Sequence, residues 1–177
     1  MDKKHYIITA LTLGLIGAGS ALLVGGANLL TKDRILENEK KKVEQGIATI
    51  FGESSSVQKE QSKDDAGLTE YRYVQTIYTI NQEATEIGYA IRTTGSNLYG
   101  KISLIIGYSK SSKAFAGLTI VSNEQTYAST LVENYIDPLN AGQRDLDDVK
   151  CGATYGAKLV RDMVNEAKAA SLELWKE

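Results

Sequence analysis

The stretch Asp147 to Ala157, DDVKCGATYGA, puts a hydroxyl where chemistry can use it. Gly152 tolerates unusual backbone angles and leaves room beside the chain, and Ala153 adds little cover. Thr154 follows at the opening of what reads as the last helix. A helix N-terminus offers free amide hydrogens and the positive end of a dipole, so a phosphate ester on Thr154 would be stabilised there. Lys150, Lys158 and Arg161 could add positive charge. The alternative is that Thr154 simply caps the helix, a common use of threonine. Composition excludes most other site chemistry. One Cys and one His cannot assemble a four-ligand zinc site or an iron–sulfur cluster. His5 precedes an apolar run and lies far along the chain from Cys151, so a Ser-His-Asp or Cys-His arrangement is equally poor. Redox work by this chain would need an organic cofactor.

The elements that position Thr154 begin with a membrane segment. Tyr6 to Leu30 is 25 residues without a charge. At 1.5 Å per residue that is roughly 37 Å of helix, longer than a hydrocarbon core of roughly 30 Å. A transmembrane helix is expected; a cleaved signal peptide is the alternative, with a usual apolar core of roughly 7–15 residues. Gly14, Gly17, Ala18 and Ala21 permit close contact with another helix. Lys3 and Lys4 precede the span, while Lys32, Arg34 and Lys40 to Lys42 follow it among acids, so flanking charge does not fix the orientation. The net charge of −2 gives no basic field for nucleic acid.

Beyond the span, Ile35, Leu36, Val43, Ile47 and Ile50 fit a loose helical stripe, read as a stalk. Residues 52–69 are polar and turn-rich, and read as a flexible linker or long loop. Four strands follow, marked by Tyr71 to Tyr78, by Ile87, Tyr89 and Ile91, by Ile102, Leu104 and Ile106, and by Ala114 to Val121. Gly95-Ser96-Asn97 is expected to turn between the second and third. Ser109 to Lys113 joins the third to the fourth. A helix is expected from about Ala128 to Ile136, stopped by Asp137-Pro138. The closing helix, Thr154 to Trp175, has a stripe of Val160, Met163, Val164, Ala167 and Leu174. The fold class is α+β. The expected parts are residues 1–31 as tail and span, 32–70 as stalk and linker, and 71–177 as an α+β domain.

Asp148-Val149-Lys150-Cys151-Gly152-Ala153-Thr154 resembles the flavinylation motif Asp-x-x-(Ser/Thr)-Gly-Ala-(Thr/Ser). That motif belongs to the FMN-binding domain family, which includes the RnfG-type component of the Rnf complex and its counterpart in the sodium-pumping NADH:quinone oxidoreductase. The order of span, stalk, small β-rich domain and motif-opened final helix is similar to the family's. So are the strand pair at Gly95 to Gly107 and the strand at Ala116 to Thr126. Cys151 stands where the family has Ser or Thr, and Gly156-Ala157 where it commonly has a Ser/Thr pair. The family's Glu-Thr-Pro-Gly-Leu-Gly loop corresponds here to Glu124-Gln125-Thr126-Tyr127-Ala128-Ser129.

The resemblance implies FMN joined to Thr154 through a phosphoester bond, with Gly152, Ala153, Cys151, Asp148, Glu124 and Thr126 as further cofactor-binding residues. Tyr127 and Tyr155 are the tyrosines best placed to stack on a flavin; strand faces are the other use for tyrosine. It further implies electron relay within an ion-translocating ferredoxin:NAD oxidoreductase, partnership with its other membrane subunits, a flavin transferase for maturation, and an extracytoplasmic domain. Other readings are a component of a quinone reductase, a stand-alone extracytoplasmic flavoprotein, or a membrane-anchored binding or assembly protein without flavin.

Overall fold

The computed structural model describes residues 3–176, with side chains described for 6–26, 34 and 37–176. The chain divides into two compact units, Met1–Lys41 and Lys42–Glu177. Helix α1 (Lys3–Phe51) runs through the first and ends in the second. In the first unit, Tyr6–Gly26 is long and apolar enough to cross a membrane, and its side chains are exposed. Its 21 residues give about 31 Å of helix. A Cβ added at Gly14 or Gly17 would meet no other part of the described residues within 4 Å beyond the helix's own backbone.

The second unit is built on β1 (Ser55–Ser62), β2 (Val74–Gln82), β3 (Thr85–Asn97), β4 (Gly100–Ser109) and β5 (Phe115–Asn123). Among the described residues these form one antiparallel sheet, ordered as they follow in the chain. Neighbouring strands joined by short turns pair antiparallel without a crossover. The helices are α2 (Ala128–Leu131), α3 (Asp137–Asn140) and α4 (Thr154–Leu174). The α+β class is therefore correct.

Alternation along the strands sorts side chains onto two buried faces. Ile77, Ile91, Ile102, Leu104, Ile106 and Leu118 face one core, where α4 adds Val160, Met163, Val164 and Ala167. Tyr78, Ile80, Ala90, Ile105 and Val121 face the other, covered by Val43 and Ile47 from the end of α1. A central strand covered on both sides needs apolar residues at successive positions, as Leu104, Ile105 and Ile106 provide. Each such side chain, fully buried, contributes about 1.5–3 kcal/mol.

Four expectations change. Val43 and Ile47 lie in the core rather than on a free stalk; Ile35 and Leu36 have side chains outside the described residues. The polar stretch 52–69 is not simply a linker, because Ser55–Ser62 pair with β2 as an edge strand. An edge strand mostly in water needs no apolar alternation, so its sequence hides it. Gly95-Ser96-Asn97 stay in β3, and the turn falls at Leu98-Tyr99. There the Asn97 side chain accepts from the Tyr99 N–H at 2.8 Å and starts the turn later. Finally, Pro138 does not stop the helix. A π-turn at Val132–Ile136 joins α2 to α3, and the Asp137 N–H reaches back to the Val132 carbonyl. The wider turn gives the proline ring space that an α-helix denies it.

Candidate functional site

The closing helix starts without a side-chain cap. Its N-cap is Ala153, at φ −114° and ψ 44°, and the first helical bond runs from the Ala157 N–H to the Ala153 carbonyl at 3.0 Å. The amides of the first turn, from Thr154 onward, thus have no intrahelical partner. Thr154 is the first helical residue, half-buried, and its hydroxyl makes no hydrogen bond among the described residues. A hydroxyl in that position is spare for other chemistry.

The loop before it is fastened from two sides. Arg144 Nη1 donates to the Asp148 carbonyl at 2.7 Å and lies 3.4 Å from the Asp148 carboxylate and from the Lys150 carbonyl. From the π-turn, Asn134 Nδ2 donates to the Cys151 carbonyl at 3.1 Å, and the Tyr135 hydroxyl donates to the Leu146 carbonyl at 2.5 Å. Burial pushes the Tyr135 phenol well above its usual range, so it stays a neutral donor. Gly152 then turns the chain at φ +85°, a region costly for residues with a Cβ. Among the described residues a Cβ there would meet only Thr130 Cγ2, at 3.2 Å. The space beyond is open.

That space is a cleft of about 280 Å³, lined by Gly152, Ala153, Thr154, Tyr155 and Gly156 at the start of α4 and by Tyr99, Gln125, Tyr127 and Leu131 from other segments. Small-molecule sites span roughly 300–1,000 Å³, so this one admits part of a cofactor-sized group without enclosing it. A tethered group needs no enclosure. Gln125 is buried on the floor, its side-chain amide donating to the Gly100 carbonyl. Gly156 packs close by, and a Cβ there would sit 3.0 Å from Leu131 Cδ2 and 3.4 Å from Gln125 Oε1, so Leu131 would have to give way slightly.

Of the residues expected at the site, Thr154, Gly152 and Ala153 line the cleft together, as do Tyr127 and Tyr155. Cys151 does not; it is buried in the core beneath. Asp148 and Glu124 are exposed outside the lining, and Asp148 serves the Arg144 clasp. Thr126 also lies outside it, its hydroxyl donating to the Tyr99 carbonyl at 3.1 Å. Arg161 is engaged by Asp162, at 2.8 and 3.0 Å, and that hydrogen bond raises its pKa; Lys158 remains as the exposed cation on the first turns of α4. The residues not foreseen are Tyr99, Gln125, Leu131 and Gly156. Tyr99 had one readable signal, an aromatic at the tip of a hairpin rather than within a strand.

The residues present fit a phosphate-linked planar cofactor: a spare hydroxyl, a helix N-terminus, an open glycine platform and a lining rich in aromatic rings. Comparison with known families matches residues 1–50 to the RnfG N-terminal region. The matched stretch takes in the apolar span Tyr6–Gly26 and does not reach the residues lining the cleft. A comparison with curated proteins gave no match.

Proposed function

From the match of residues 1–50 as premise, we propose that this chain is the membrane-anchored flavoprotein subunit of an Rnf-type complex, carrying FMN on Thr154 through a phosphoester bond. The observation that carries the reading is Thr154, lining the cleft beside Gly152 at the start of α4, with its hydroxyl making no hydrogen bond among the described residues. FMN, when attached, supplies electron-transfer chemistry that no side chain here offers. The chain supplies the rest. The amides at the N-terminus of α4 and Lys158 stabilise the phosphate charge, and Gly152 and Ala153 leave the ester accessible to a flavin transferase. The Arg144, Asn134 and Tyr135 bonds hold the loop in place. In this reading Tyr6–Gly26 anchors the chain in the membrane, the second unit is extracytoplasmic, and the flavin relays electrons between redox centres of the other subunits.

The test is attachment. Full-length chain coexpressed with a flavin transferase is expected to gain one FMN less one water by intact mass. Thr154→Ser keeps the adduct because the chemistry needs only a hydroxyl, and Thr154→Ala loses it. An Ala variant whose flavin survives denaturation would move the site elsewhere. A wild-type chain without adduct in the presence of the transferase would end the proposal.

A further inference from the structure

We infer that Tyr99, Tyr127 and Tyr155 form a ring-binding wall that holds the planar face of the flavin; this rests on the flavoprotein reading above. The three phenols reach the cleft from separate segments: the β3–β4 turn, the loop after β5, and the first turn of α4. None lies within a strand, so strand-face packing does not account for them. Tyr99 is central, with ring centroids 6.0 Å from Tyr127 and 5.4 Å from Tyr155. Its backbone is held on both sides. Asn97 Oδ1 accepts from its N–H, and its carbonyl accepts from the Thr126 N–H at 2.8 Å and the Thr126 hydroxyl. Asn97 Nδ2 also donates to the Tyr155 carbonyl at 3.1 Å, tying the hairpin to the helix.

The outer rings are unfinished as packing. Tyr127 is 53% exposed and Tyr155 61% exposed. A fixed inner ring flanked by two wet ones leaves apolar surface that a planar aromatic guest covers. Lys158 Nζ lies 5.8 Å from the Tyr155 centroid, setting a positive charge beside the same wall. All three rings border the cleft that Thr154 opens onto, so a group attached there is within their reach.

The experiment separates ring binding from attachment. Full-length Thr154→Ala in detergent is titrated with free FMN. A phenol in contact with the ring quenches its emission by lending an electron to the excited state and taking it back, with no net reaction. Emission is expected to fall on binding, and adding Tyr155→Leu or Tyr127→Leu to weaken binding roughly tenfold, as loss of one stacking partner does. Both residues are exposed, so these variants should keep the wild-type circular dichroism; Tyr99→Leu is the stronger but riskier variant. In parallel, chain loaded by the transferase is read as emission per FMN before and after denaturation, with a several-fold rise expected in the Leu variants before it. A normal adduct with unchanged emission and unchanged titration in the Leu variants overturns the wall and leaves attachment standing. Tyrosine-dependent quenching in the titration, with no adduct on the wild type, supports the wall and overturns attachment.

Discussion

Gly152 lines the cleft, while Gly100 lies outside the lining, its carbonyl held by the Gln125 side chain; both are at positive φ, and they serve opposite purposes. At Gly100, with φ +132°, a Cβ would lie 2.1 Å from the Glu124 carbonyl oxygen and 3.1 Å from Gln125 Cα. The missing side chain is replaced by the protein's own backbone. At Gly152 a Cβ would touch, among the described residues, only the methyl of Thr130, and the cleft in front stays open. One glycine is consumed by the fold, while the other keeps a surface clear beside a spare hydroxyl. Glycine in both places says the same thing in sequence; only the neighbours reveal which space is in use.

The contrast ranks four substitutions by cost to folding. Gly100→Ala is the largest, because backbone rather than a flexible side chain must move. A loss of about 3 kcal/mol in urea unfolding is expected from combined overpacking and a poor φ. A near-wild-type midpoint would mean the hairpin and the Glu124 loop can separate freely. Gly152→Val is next, at about 1–2 kcal/mol, from the positive φ and a β-branched side chain. Its flavin content by intact mass should fall further than its stability does. Full loading of that variant would show that the open space is not for FMN.

Tyr135→Phe sharpens the comparison from the side of the Gly152 loop. It removes the hydrogen bond to the Leu146 carbonyl, at about 1 kcal/mol, with the fold retained. The pH sign follows from the raised phenol pKa. The folded state holds the proton more tightly than the unfolded chain, so the contribution is fully present below the unfolded value near 10. It is lost as pH rises from there through the folded value. Tyr108, which donates to the Val164 carbonyl at 2.6 Å and is also raised by burial, acts in the same direction. Unfolding midpoints measured from pH 8 upward should therefore stay level and then decline above about pH 10. Tyr135→Phe should decline less steeply than the wild type.

The smallest cost is expected at Thr154. Since Ala153 is the N-cap and Thr154 makes no hydrogen bond among the described residues, Thr154→Ala should change stability by less than about 0.5 kcal/mol. A cost of a full kilocalorie or more would return Thr154 to a capping role. A side chain that folding does not need, on a platform that folding leaves open, is the pattern expected of a site kept for a ligand.

How much of this was legible in the chain depends on the range of the physics. Local periodicity fixes the apolar span, the alternation in β2 to β5 and the buried stripe of α4, because those signals sit within a few residues of one another. The motif around Thr154 was legible for the same reason: seven adjacent residues carry it. The sequence also determined that a positive φ was available at Gly152, since only glycine takes it without strain. What lay beyond its reach was set by contacts between distant segments. β1 is recognisable only by its pairing with β2, and Pro138 is tolerated only through the π-turn before it. The burial of Cys151, the clasp of Asp148 by Arg144 and the placing of Thr126 against Tyr99 all depend on segments that meet only after folding. The cleft itself is the clearest case. Tyr99, Gln125 and Thr154 are separated by tens of residues, and no local pattern says that they line one cleft. The sequence supplied the hydroxyl and its platform; the tertiary structure decided what faces them.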